Sequence, residues 1–183
     1  MISISPDDRL IAVGGWTVGI YTTEGERPGV IYPIEVGREV FSLSFSPDGN
    51  KLACGTETDI RIYDVKIGTL VLAPFKGHTT RISCVLWSLD GSRLFSAVIK
   101  RFAVGTLEWE DKPDNRGQVA PTTYTLSLSS DGTLLASVSL DKTVRFWDTA
   151  HGRPAGQDLQ HYTGVDFVCF SPSAEFMAST NRN

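Results

Sequence analysis

The sequence predicts an all-β fold in which one antiparallel sheet unit is repeated along the chain. Three observations carry this. First, a short turn pattern recurs five times: Ser5-Pro6-Asp7-Asp8, Ser46-Pro47-Asp48-Gly49, Ser88-Leu89-Asp90-Gly91, Ser129-Ser130-Asp131-Gly132 and Ser171-Pro172-Ser173-Ala174. The leading serines are 41, 42, 41 and 42 residues apart, and a fixed period of that length is the mark of a repeat architecture. Second, the residues on either side of each turn alternate in polarity with period two, as half-buried strands do. Third, Val (15), Ile (11) and Thr (17) are abundant, and β-branched side chains favour the pleated surface.

The elements follow in order within each repeat. One residue before each serine stand Ile4, Phe45, Trp87, Leu128 and Phe170; three before stand Ile2, Leu43, Val85, Leu126 and Val168. Between them lie the mostly small Ser3, Ser44, Leu86, Ser127 and Cys169. This is the first strand. The tetrapeptide then turns the chain: Pro presets φ, Gly permits positive φ, and Asp hydrogen-bonds nearby backbone. Six and seven residues after the serine come Ile11-Ala12, Leu52-Ala53, Leu94-Phe95, Leu135-Ala136 and Met177-Ala178, a second strand paired with the first. A third strand reads as Val18–Tyr21, Ile60–Tyr63 and Val144–Trp147. Asp64 and Asp148 close two of these, with Gly68 and Gly152 four residues on, which marks another shared turn. A fourth, more variable strand is expected to fill the remainder, as in Thr69-Leu70-Val71-Leu72. Four strands in about 41 residues make a sheet that cannot bury both faces alone. Stacking such sheets around an axis buries them, which is a β-propeller.

At this point the residues carry a resemblance. The period, the Ser-Pro-Asp-Gly turns, Gly77-His78, Trp147-Asp148 and the run Leu140-Asp141-Lys142-Thr143-Val144-Arg145-Phe146-Trp147-Asp148 resemble WD40 repeats. The stretch Thr69–Thr79 also resembles the arrays of fungal NACHT-type proteins. The resemblance implies seven blades, or about 290 residues at 40–45 per blade. Against it, 183 residues give four four-stranded blades, at about 1–40, 41–82, 83–123 and 124–165, and a half blade at 166–183. The expectation is therefore a piece of a larger propeller, its rival a short chain that closes by self-association. The resemblance further implies a buried tetrad in each good blade: His before the first strand, Ser or Thr in the second, Asp in the next turn, Trp in the third. No repeat here holds the full set. The fourth has Ser137 or Ser139 with Asp141 and Trp147, but Val119 stands at the His position. The third has His78, with Lys100 and Gly105 or Thr106 for the Asp and Trp. The fifth has His161. The second has Thr58, Tyr63 and Asp64. The segment from Glu108 to Gly117 reads as an irregular loop.

Composition excludes several functions. The net charge is −4, unsuited to coating nucleic acid or a membrane surface, both of which call for basic patches. Cys54, Cys84 and Cys169 are odd in number and widely spaced, which fits a reducing compartment, cytoplasm or nucleus, and shows no metal-ligand spacing. No cofactor or metal is expected. His161, Ser139 and Asp141 are the ingredients of a catalytic triad, but they occupy structural slots of the repeat, and there is no Gly-x-Ser-x-Gly elbow. The chain reads as a non-enzyme that binds other proteins or peptide segments. The positions eleven residues after each serine, Trp16, Glu57, Ile99, Leu140 and Arg182, fall on one rim. Trp16, Ile99 and Leu140 are candidate apolar anchors there, with Arg81 as a charged contact. A repeat region of a larger NACHT-type signalling protein is the alternative, and a propeller hydrolase the remote one.

Overall fold

The turns and their flanking alternations form hairpins in the computed structural model, which describes residues 1–24, 30–98, 101–106 and 123–181. The first sheet runs β1 (Ile2–Ile4), β2 (Leu10–Gly14), β3 (Val18–Thr22) and β4 (Val30–Ile34). The second runs β5 (Ser42–Phe45), β6 (Lys51–Gly55), β7 (Asp59–Asp64) and β8 (Phe75–Lys76). The third is β9 (Ile82–Trp87), β10 (Arg93–Val98) and β11 (Arg101–Thr106). The fourth is β12 (Thr123–Leu128), β13 (Leu134–Ser139) and β14 (Thr143–Asp148), with β15 (Arg153–Pro154) and β16 (Leu159–Gln160) both paired to β14. The fifth is the hairpin β17 (Val165–Phe170) and β18 (Met177–Asn181). All pairings are antiparallel.

The repeated tetrapeptide does the same chemistry in the first four repeats. The hydroxyls of Ser5, Ser46, Ser88 and Ser129 donate to the Oδ1 of Asp7, Asp48, Asp90 and Asp131 at 2.5–2.6 Å. Each hydroxyl in turn accepts the amide N–H that opens the next strand, from Leu10, Lys51, Arg93 and Leu134, at 2.9 Å. The fourth turn residue takes positive φ: Asp8 at 59°, Gly49 and Gly91 at 70°, Gly132 at 72°, Ala174 at 58°. Glycine carries this without the Cβ clash.

The core lies between sheets, not within any one of them. Residues three and one before each serine, and six after, face the preceding sheet; residues seven after face the following one. Thus Leu43, Phe45 and Leu52 pack on Ala12 and Ile20, Val85, Trp87 and Leu94 on Ala53 and Ile62, Leu126, Leu135 and Trp147 on Phe95, and Val168 on Ala136 and Val144. Burying each large aliphatic or aromatic side chain contributes roughly 1.5–3 kcal/mol. The first strands of consecutive sheets also exchange hydrogen bonds. Val85 N–H donates to Ser42 Oγ at 2.9 Å, Trp87 Nε1 to the Ser44 carbonyl at 3.0 Å, and Phe170 N–H to Ser127 Oγ at 3.1 Å. They line one axis, the arrangement of β-propeller blades.

One expectation is corrected. Thr69–Leu72 is not a fourth strand. Leu70 makes a single bridge to Tyr63, and pairing to β7 resumes only at Phe75–Lys76, opposite Asp59 and Ile60. Pro74 has no N–H to give the ladder, and Leu70, Val71 and Leu72 are exposed, so nothing holds a continuous strand. The fourth sheet is interrupted likewise between β15 and β16, where Gly156 sits at φ 79°. Ile99, Lys100, Val119, Arg182 and the Glu108–Gly117 segment lie outside the described residues.

Candidate functional site

Antiparallel strands give the stack two rims. One carries the serine turns between first and second strands, together with the turns after the third strand. The other carries the turns between second and third strands and the loops that enter each first strand.

On the first rim, polar groups are consumed locally. Asp64 Oδ1 accepts the N–H of Lys66 and Ile67, and Asp148 Oδ1 that of Ala150, while Gly68 and Gly152 close both turns at positive φ. Asp148 Oδ2 also meets His151 Nδ1 at 2.7 Å. The Asp48 carboxyl is held down at about 2 by the Ser46 hydroxyl and the Asn50 amide. Asp90 is held at about 2 by the hydroxyls of Ser88 and Ser92. Arg93 donates to the carbonyls of Thr149 and Ala150, tying the third sheet to the fourth.

The second rim differs from sheet to sheet. In the first, Gly14-Gly15 leads into Trp16, whose side chain is 71% exposed. In the second, a compact clamp forms. Thr56 Oγ1 donates to Asp59 Oδ1 at 2.6 Å, Arg61 binds both Asp59 oxygens at 3.1 and 3.2 Å, and its Nη1 reaches the Val36 carbonyl at 2.7 Å. Burial pushes the Asp59 carboxyl up, but the bonds from Arg61 and Thr56 outweigh it and leave it lowered. In the fourth, Asp141 accepts Thr143 Oγ1 at 2.5 Å and Arg145 Nη2 at 2.7 Å, and Arg145 Nε reaches Asp158 at 3.1 Å. Burial raises the Asp141 carboxyl less than these bonds lower it.

The tetrad slots are filled in part. Trp147 is buried and its Nε1 donates to Ser137 Oγ at 2.8 Å; Ser137, not Ser139, is therefore its partner. Ser139 Oγ accepts the Asp141 N–H at 3.1 Å. His78 Nε2 lies 2.8 Å from Ser96 Oγ, and His161 Nε2 3.4 Å from Ser179 Oγ. Ser96, Ser137 and Ser179 share one register position, eight residues after the leading serine, where the second sheet has Cys54. Burial pushes the Cys54 thiol up to about 12 and Cys84 up to about 11. Gly105 pairs with Leu94 as Trp147 pairs with Leu135, so it stands at the tryptophan position of the third sheet. In the second sheet the carboxylate is supplied by Asp59, one residue beyond the Thr58 slot, where it opens the third strand at the register that Thr143 holds in the fourth sheet. The ingredients of a Ser-His-Asp triad are not assembled, since His161 faces Ser179 rather than Ser139.

Among the predicted anchors, Trp16 and Arg81 reach the same stretch of rim. Gly15 O accepts Val40 N–H at 2.8 Å, bringing the Trp16 turn beside the Phe41 loop, and the Arg81 guanidinium lies over the Phe41 ring at 4.8 Å. Arg38 approaches Asp59 at 4.0 Å nearby. Leu140 is half-buried, with a δ carbon so close over Gly164 that a Cβ there would approach to 2.8 Å. Phe41, Arg38 and the Asp59–Arg61 clamp escaped the sequence reading, because they sit off the eleven-residue offset.

Comparison with known proteins agrees with this geometry. The family model for the WD domain, G-beta repeat, matches residues 117–148, and that of the anaphase-promoting complex subunit 4 WD40 domain matches residues 2–90. The chain belongs to the WD40-repeat family. It is 33% identical over 104 residues to small ribosomal subunit protein RACK1y of Oryza sativa subsp. japonica, covering 52% of this chain and 30% of that protein. It is 30% identical over 122 residues to COMPASS component SWD3 of Saccharomyces cerevisiae, covering 63% and 37%. It is 39% identical over 57 residues to the intraflagellar transport protein 122 homolog of Mus musculus, covering 31% and 5%. The chain thus matches well under two thirds of the length of these relatives. WD40-repeat proteins generally act as non-catalytic scaffolds for protein interaction. Among the described residues no helix is long and apolar enough to cross a membrane.

Proposed function

We propose that this WD40 array is a non-catalytic scaffold that docks protein partners, or peptide segments of them, on the rim carrying Trp16 and the Arg81–Phe41 pair. The observation that carries the reading is Trp16. A tryptophan 71% exposed on a two-glycine turn keeps a large apolar surface in water, and tryptophan and arginine are the residues on which protein interfaces most often depend. Arg81 over Phe41 adds a cation held on an aromatic face, ready to meet a carboxylate or a carbonyl. The rigid sheets beneath hold both in fixed positions, which lowers the ordering cost of binding. Ile99 and Leu140 complete the predicted anchor set, Leu140 with less surface to offer. The net charge of −4 favours protein partners over nucleic acid. The alternative, a repeat region of a larger signalling protein, is favoured by no described residue over this one.

The test is quantitative capture from extract of the source organism by wild type, Trp16→Ala, Arg81→Ala and Ile67→Ala. Ile67 is a matched control, 68% exposed on the opposite rim. Loss of the same partners in the first two variants, with Ile67→Ala retaining them, is expected. Equal capture by all four overturns the assignment.

A further inference from the structure

Arg81 and Phe41 stand on two different loops, and their stacking requires that both be held. Phe41 ends the loop, residues 35–41, that joins the first sheet to the second. The far end of this loop is fixed by main-chain bonds: Val40 N–H donates to the Gly15 carbonyl and Phe41 N–H to the Gly55 carbonyl, each at 2.8 Å. Its near end is fixed by a side chain, since Arg61 Nη1 donates to the Val36 carbonyl at 2.7 Å. Between these points Gly37 takes a φ of 71° and Arg38 is exposed. Arg81 ends the loop, residues 77–81, that enters the third sheet. The residue after it, Ile82, donates its N–H to the Thr56 carbonyl at 3.0 Å.

Both supports converge on one carboxylate. Arg61 holds Val36 with the same guanidinium that binds Asp59 through Nε and Nη2. A guanidinium is planar and rigid, so fixing one edge on Asp59 also fixes the direction of Nη1. Thr56 donates its hydroxyl to Asp59 Oδ1 at 2.6 Å and its N–H to the Asp59 carbonyl at 2.9 Å, and its hydroxyl accepts the Asp59 N–H at 3.2 Å. The Asp59 side chain is 6% exposed, so little water competes for these bonds, and charge strengthens them. Asp59 thus acts on Phe41 through Arg61 and Val36, and on Arg81 through Thr56 and Ile82.

We infer that Asp59 is a positioning residue of the docking rim: through Arg61 and Thr56 it sets two loops against each other, so that Arg81 already stands over Phe41 before a partner arrives. Its role in docking rests on the rim proposed above; its effect on the Arg81–Phe41 geometry does not. A pair stacked in the free chain has less freedom to lose on binding. Contact residues keep such a geometry when the side chains behind them are locked by hydrogen bonds.

The test is NMR of the free 183-residue chain, following the Arg81 side-chain Hε and Hδ signals, which the ring beneath them shifts upfield. Arg81→Lys assigns these signals, and Phe41→Leu gives their position without the ring. Arg61→Lys keeps a charge beside Asp59, but one ammonium cannot span Asp59 and Val36. Thr56→Val keeps the side-chain shape and removes the hydroxyl. Each of these two variants is expected to move the Arg81 signals most of the way to their Phe41→Leu position, with the Gly91 and Gly132 amides of the serine turns staying in place. Ile67→Ala is expected to leave them at the wild-type position. Unchanged Arg81 signals in both variants overturn the inference. A shift lost in only one of them also overturns it, because Asp59 would then not join the two loops. So does movement of Arg81 only together with the serine-turn amides, because Asp59 would then hold the whole fold. Capture from extract by the same variants separates the inference from the reading beneath it. Several-fold weaker capture by Trp16→Ala, Arg61→Lys and Thr56→Val alike supports both. Weaker capture by Trp16→Ala alone leaves the rim standing and overturns the positioning role. Equal capture by all overturns the rim and any role in docking, while the Arg81 signals still decide the geometry.

Discussion

The two rims of this propeller are built from the same strands and obey opposite rules. On the rim of serine turns, the first four copies repeat one hydrogen-bonding scheme almost atom for atom, each around its own aspartate, and in the fifth Ser173 stands in that aspartate's place. On the other rim each sheet has its own solution: an exposed tryptophan, an Asp59–Arg61 clamp, an Asp141–Arg145–Asp158 chain. The uniform rim is where the repeat is held in register. The variable rim joins the second and third strands by turns of different length and chemistry in each sheet, and loops that vary on a rigid scaffold are where recognition is usually carried.

The contrast can be broken most strongly at the clamp. Arg61→Met leaves the Asp59 carboxylate, 6% exposed, without its main partner, and should cost about 3 kcal/mol in urea unfolding. Arg145→Met should cost less, since Asp141 is more open to water. If Asp59→Asn in the same chain recovers part of the loss, the cost lies in the unpaired charge rather than in lost packing.

Glycine substitutions separate the rims next. Gly132→Ala meets both a positive φ of 72° and a Leu89 Cδ1 at 2.9 Å from the new Cβ, and should cost about 1–2 kcal/mol. Gly15→Ala, on the variable rim, meets open space and should change stability by less than about 0.5 kcal/mol.

Acid sharpens the same distinction. Asp48 and Asp90 titrate at about 2 in the folded chain, below the ordinary value near ~3.9. Their bonds therefore contribute stability in full above about pH 4 and lose it as pH falls toward 2. The urea midpoint of wild type should drop through that window more than that of an Asp48→Asn, Asp90→Asn double variant. Parallel curves would show that the turns carry no such linkage. The smallest expected effect on stability is that of Trp16→Ala, less than about 0.5 kcal/mol, although it should have the largest effect on partner capture.

Much of the uniform rim was legible in the sequence, because Ser, Pro, Asp and Gly act locally and their spacing states their role. The five first strands and the Ser137, His78 and His161 slots follow from that period. The variable rim was legible only where a large apolar residue stood at a fixed offset, as Trp16 does. The Asp59–Arg61 clamp was hidden because its acid opens the third strand, at the register of Thr143, rather than standing in the preceding turn where the pattern places it. Phe41 was hidden because its partner Arg81 lies forty residues away, and the broken fourth strands because Pro74 and Gly156 act on pairing that period alone does not reveal.

The central claim is that the variable rim is the binding surface. A photo-crosslinking residue placed at position 16, and separately at position 67, tests it most directly when each chain is irradiated in extract of the source organism. Discrete covalent adducts from position 16, with only background from position 67, are predicted. Adducts arising from position 67 alone, or equally from both, would contradict it.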